Sequence, residues 1–168
     1  MKKQFRQIGQ NVTMPDSVLV PNPHLVSIGN DVNINERAEL FAQNANEVHQ
    51  AGSIQIGNNC MISKGTVIFA GRGTIKISDH CEIGLHCTVI AQRRSRSRKT
   101  TGAEGVEVYT TEIGEECLIG ARAIILEGTK LGKRCVVAAG AVVQGEYPDD
   151  VTLIGNPARA VPNRNSIS

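Results

Sequence analysis

Four histidines and five cysteines are the side chains of this 168-residue chain most able to carry chemistry. An imidazole can take up a proton near neutral pH or bind zinc. A thiolate can attack a carbonyl or hold a metal. Spacing decides among these uses. Cysteines 60, 81, 87, 117 and 135 form no Cys-x-x-Cys pair, and their count is odd, so neither a zinc ligand set nor a disulfide framework is indicated. No metal is expected. His24, His49, His80 and His86 remain as candidate bases, and a basic run (Arg93, Arg94, Arg96, Arg98, Lys99, interleaved with Ser95 and Ser97) as a candidate anion site or a solvated loop. No aromatic residue lies in that run, which argues against single-stranded nucleic acid, a ligand that seeks stacking platforms.

The elements that must position these groups follow from a period of six. From Ile113 an aliphatic residue recurs at Ile119, Ile125, Leu131, Val137 and Val143. Chance would produce such a run in well under about one register in a thousand. Six matches neither a helix nor one long strand; it matches short flat segments of equal length, stacked as a solenoid. The period returns upstream at Ile8, Met14, Val20; Ile28, Ile34, Leu40; Ile56, Ile62, Ile68; and Ile77, Ile83, Val89. Taken in threes, these anchors define six triangular coils: 8–25, 28–45, 56–73, 77–94, 113–130 and 131–148.

The position four after each anchor forms a second inward row. In first and second hexads it holds only small or β-branched residues, among them all five cysteines, so cysteine here is a small apolar filler. In third hexads the row reads His24, Asn44, Arg72, Arg93, Thr129, Tyr147 and fails. Insertions at 46–55, 74–76 and 95–112 also follow third hexads. One corner of the prism therefore collects the loops, where function tends to lie. The expected fold is all-β, a parallel β-helix forming a single domain over 1–168: coils at 8–148, an excursion at 95–112, and a C-terminal cap at 149–168 with Pro157 and Pro162.

Net charge is +2, too near neutral to imply nucleic acid as a partner of the whole fold. Free inward thiols point to a reducing compartment. The opening Met-Lys-Lys-Gln-Phe-Arg-Gln has no apolar run, so neither a signal peptide nor a membrane span is expected. The cytoplasm is the expected location.

The hexads Ile-Gly-Glu-Glu-Cys at 113–117, Ile-Gly-Ala-Arg-Ala at 119–123 and Val-Ala-Ala-Gly-Ala at 137–141, with Gly-Asn-Pro-Ala-Arg at 155–159, resemble the hexapeptide-repeat acyltransferases. Within them the chain most resembles the sugar and polysaccharide O-acetyltransferases of the maltose/galactoside acetyltransferase-like branch. The resemblance implies a left-handed coil, a homotrimer with active sites between subunits, and acetyl-CoA as co-substrate. It implies transfer of acetyl to a hydroxyl or amine of a sugar or polysaccharide precursor. Gly120, Ala121 and Ala139, small enough for close backbone approach, would take the pantetheine arm. Gly155, Asn156 and Arg159 would meet the nucleotide phosphates, with Arg159 as a charge-assisted donor.

Such a transfer needs a general base. In the resembling family that histidine follows the third anchor of the coil before the long excursion, where this chain has Gln92 and Arg94. Neither can act as a base. His86, next to the excursion, becomes the preferred base, with His49 in the 46–55 insertion second. The alternative is a catalytically silent trimer acting as a binding or scaffold protein. A zinc hydratase on the same coil would need three converging histidines, but His80 and His86 lie one hexad apart and belong to different sides.

Overall fold

The computed structural model describes residues 4–95 and 104–162. Arg96, Ser97, Arg98 and Lys99 of the basic run lie outside them. Short strands wind around a three-sided prism, and the only helix among the described residues is a 3-10 turn at Pro23–Leu25. The first face stacks strands ending at Ile8, Ile28, Ile56, Ile77, Ile113, Leu131 and Tyr147. The second carries Ile34, Ile62, Ile83, Ile119, Val137 and Leu153, and the third Leu40, Ile68, Val89, Ile125 and Val143. Neighbouring strands within a face are parallel, with anchors directly opposed: Ile83 to Ile119, Ile119 to Val137, Val137 to Leu153. Each coil thus satisfies the strand edges of the next.

The interior is the two inward rows. The anchors from Val20 to Val143 and the second row from Val18 to Ala141 are buried. Each cysteine Sγ donates to a backbone carbonyl of the following coil, as Cys81 does to Gly114 at 3.0 Å and Cys87 to Gly120 at 3.1 Å. A thiol therefore fills an apolar corner while satisfying a carbonyl there. Contact with Cys117, partly offset by Cys60, together with burial, pushes the Cys81 thiol up to about 12. Such thiols are inert nucleophiles at neutral pH.

The corners recur three residues after an anchor, where the backbone adopts positive φ. His80 (59°), His86 (54°), Arg122 (59°) and Arg134 (54°) hold this conformation, at a cost of about 1 kcal/mol each for a residue bearing a Cβ. Glycine one place after an anchor has a different cause. A Cβ on Gly114 would come within 2.4 Å of the Gly132 carbonyl, and one on Gly120 within 2.5 Å of the Ala139 amide nitrogen.

The structure departs from the sequence expectation in three places. The stack runs past 148: Glu146–Tyr147 pairs with Lys130–Leu131, and Val151–Gly155 with Val136–Val137, before Ala158–Pro162 folds back antiparallel. A seventh, partial turn thus replaces the start of the cap, because Tyr147 takes the anchor place four positions after Val143 rather than six. Thr129, expected among the failed positions, is fully buried, its hydroxyl donating to the Val143 carbonyl at 3.2 Å. The excursion leaves and returns earlier than 95–112 and is in part a hairpin. Gln92–Arg94 pairs antiparallel with Val106–Val108, and Thr110–Ile113 is already back on the first face.

Candidate active site

The corner between the second and third faces gathers most of the residues proposed for the donor site. Strand register stacks Gly84, Leu85 and His86 under Gly120, Ala121 and Arg122, and those under Ala138, Ala139 and Gly140. Hydrogen bonds lock the steps: Arg122 N donates to Leu85 O at 2.8 Å and Gly140 N to Ala121 O at 2.9 Å. Gly155 begins the next step, where the chain reverses through a cis Asn156–Pro157 peptide and brings Arg159 back opposite Ile154. Gly155, Asn156 and Arg159 are all exposed.

Main-chain groups are available along this corner. The amides of Ala121 and Ala139 and the carbonyl of Ala139 have no hydrogen-bond partner among the described residues. A Cβ placed on Gly140 would meet nothing within 4 Å. The corner is therefore open beside unpaired donors and an acceptor, an arrangement able to hold a chain carrying amide groups. Gly120 has another role. Its missing side chain admits the next coil rather than a ligand.

His86 lies on the same corner and is exposed. Its amide donates to Lys64 O at 3.0 Å, and its ring leans over Gly65, whose hypothetical Cβ would lie 2.3 Å from Nδ1. His49 sits elsewhere, at the corner between the third and first faces. There its amide donates to Asn46 Oδ1 at 2.7 Å while its carbonyl accepts from Asn46 N at 2.9 Å. The two preferred bases are thus not brought together within one chain. His80 lies on the first corner, and His24 pairs with Asn44 at 2.8 Å on the third.

Gln92 and Arg93 are engaged structurally. Gln92 Oε1 accepts from Arg72 N at 2.8 Å, its amide lying where a Cβ on Gly71 would be. Arg93 belonged to the candidate anion site, but its charge is already matched. It contacts Glu107 at 2.7 Å and Glu127 at 3.0 Å, and stands 5.2 Å from the centre of the Tyr109 ring. Tyr109 donates to Glu107 at 2.7 Å. That bond first, then Arg93 and Ser95, holds the Glu107 carboxyl below its ordinary value. Arg94 is exposed.

Sequence reasoning missed Arg122 and Leu85 on the corner between the second and third faces, and Tyr109 and Glu127 as partners of Arg93. The signal for Arg122 was present: it stands three after Ile119, as His86 stands three after Ile83. A concavity of about 490 Å³ opens on the first corner, lined by Ser78, Asp79, Gly114, Lys133 and Asp149. Its polar groups already form rungs between coils, Asn58 N to Asp79 at 2.7 Å and Lys133 N to Asp149 at 2.8 Å. Among the described residues no three His, Cys, Asp or Glu side chains converge as a metal site requires. None of their helices is long and apolar enough to cross a membrane.

Residues 110–144 match the family model described as the hexapeptide repeat of succinyl-transferase. No curated protein matches the sequence. Among solved structures, the chain is similar to AntD, an N-acyltransferase from Bacillus cereus in complex with dTDP and 3-hydroxybutyryl-CoA. Identity is 24% and the TM-score 0.83, over 95% of this chain and 84% of that one. It is similar to a hexapeptide-repeat-containing acetyltransferase from Vibrio cholerae, at 21% identity and TM-score 0.61, over 95% and 74%. It also resembles a variant of GDP-perosamine N-acetyl transferase from Caulobacter crescentus in complex with CoA and GDP-perosamine, at 19% identity and TM-score 0.64, over 90% and 57%. Residues 110–144 carry the repeat of the hexapeptide family, and the whole chain folds as the left-handed parallel β-helix that such repeats build.

Proposed function

We propose that this chain transfers an acyl group, acetyl in the first instance, from acyl-CoA to an amine or hydroxyl of a sugar precursor. The single observation that carries this reading is the stacking of His86, Arg122, Ala121, Ala139 and the 155–159 turn on one corner. The unpaired backbone groups of Ala121 and Ala139 would take the amides of the pantetheine arm. Arg159 would face the phosphates, with Arg122 further down the same corner, in the coil next to His86. His86 would accept the proton as the acceptor's nitrogen or oxygen attacks the thioester carbonyl, and the CoA thiolate leaves and is protonated. Two similar structures, an N-acyltransferase and an N-acetyl transferase in complex with GDP-perosamine, favour the amine of the two acceptors, hydroxyl or amine, that the sequence resemblance implied.

The third face supports a homotrimer. Its outward rows hold Leu19, Glu39, Val67, Thr88, Ile124 and Val142 in register, with Phe41 and Phe69 stacked at 5.2 Å and Ile90 and Leu126 beyond them, six aliphatic and two aromatic residues against one charge. The first face instead presents Lys76, Glu112, Lys130 and Glu146 in ion pairs to solvent. Burying the third face in a closed ring sets its two bordering corners beside neighbouring copies. His86 and the donor corner of one copy then lie near the His49 corner of the next.

Calorimetry tests the donor reading. CoA and acetyl-CoA are expected to bind with micromolar to millimolar affinity, roughly the range of ordinary substrates. Arg159→Ala is expected to weaken binding about tenfold, the scale of a lost charge-assisted bond. No heat and no thermal shift at millimolar acetyl-CoA would overturn the proposal. The second reading, a silent scaffold, draws on Gln92 and Arg94 standing where the family has histidine. It predicts CoA binding without turnover on any amino sugar nucleotide.

A further inference from the structure

We infer that Leu85 receives the acyl group and limits its length, an inference that rests on the second corner being an acyl-CoA site. The position two after each second-face anchor forms one column along that corner. From the N-terminal end it reads Asp16, Glu36, Lys64, Leu85, Ala121, Ala139, Gly155. Leu85 is its one large apolar member and is 50% exposed. Above it the column is open, with alanines and glycine beside unpaired backbone groups. Below it the column is charged.

A linear donor laid on the alanines with its nucleotide toward 155–159 meets Leu85 at its far end. One coil step is about 4.8 Å, so the Ala139-to-Leu85 span covers two steps. The thioester end therefore arrives where an apolar side chain stands beside His86, which shares the same turn. Leu85 O is fixed by Arg122 N at 2.8 Å, so the leucine is presented from a locked backbone. An apolar acyl tail is the ligand part that gains by covering it, and Lys64 beyond offers a longer tail no apolar surface.

The test uses acetyl-CoA, butyryl-CoA and free CoA with the wild-type chain, Leu85→Ala and Leu85→Phe, reading calorimetric affinity so that no acceptor is needed. Two further methylenes in a walled site are discriminated about tenfold or more. Leu85→Ala is expected to shift the butyryl-to-acetyl affinity ratio at least about tenfold toward butyryl, and Leu85→Phe to shift it the other way. Free CoA should bind all three proteins within about twofold, because its arm ends before Leu85. A ratio unchanged in both variants overturns the inference while leaving the donor site standing. So does a ratio unchanged together with loss of the oligomer on sedimentation, which makes Leu85 an interface residue. Absence of CoA binding by the wild type removes the donor site itself.

Discussion

At the scale of single residues, the question is which side chain can move a proton. Gln92 and Arg93 are held in bonds to Arg72, Glu107 and Glu127. His86 is exposed at the corner that carries the unpaired main-chain groups of Ala121 and Ala139. Because its φ is 54°, alanine there would add strain to the loss of the imidazole. Asparagine tolerates that backbone and does not titrate. His86→Asn is therefore expected to lower transfer about a hundredfold or more with CoA affinity preserved. The check is steady-state kinetics on an amino sugar nucleotide beside calorimetry. An unchanged rate would move the role to His49 of a neighbouring copy.

At the scale of elements, the hairpin formed by Gln92–Arg94 and Val106–Val108 is tied to the prism by one guanidinium between two carboxylates. Glu127 is only 8% exposed, on the fifth coil, while Glu107 belongs to the returning strand. Arg93→Ala should raise amide exchange at 106–108 about tenfold or more and leave the coil strands unchanged, as local opening requires. The same tie carries a pH dependence. The Glu107 carboxyl titrates below its ordinary value in the folded chain, through Tyr109 first and Arg93 next. Its contribution is complete above the ordinary carboxylate pKa of about 4.3. It is lost as pH falls through the lowered native value. Exchange at 106–108 should therefore stay slow at neutral pH and quicken in acid, and quickening near pH 7 would contradict the sign.

At the scale of the whole molecule, three faces built by one repeat differ in what they show outward. The first carries ion pairs, and the third is mainly apolar, with Glu39 its one charged outward residue. An apolar sheet face of that extent is unusual on a lone soluble protein. Sedimentation is expected to give three times the mass of the chain. Ile124→Arg, at the centre of the third face, should release single chains, since a charge buried there would lack a partner. A wild-type protein that sediments as one chain would remove the composite site and the trimer together.

Much of this was legible from the residues in order. A period of six, alternation within each hexad and small residues four after the anchors of first and second hexads are local constraints, set by side-chain size and by backbone sterics at the corners. They sufficed to place the coils, the inward rows and the corner from which the insertions leave. What joined His86 to Ala121, Ala139 and Arg159 was through-space register across an excursion whose length the repeat does not determine. That Arg93 is neutralised by Glu107 and Glu127, or that a shortened hexad before Tyr147 opens a seventh turn, depends on which side chains meet after stacking. Packing alone decides such encounters, because the partners stand 14 to 34 residues apart along the chain and meet only once the coils have stacked.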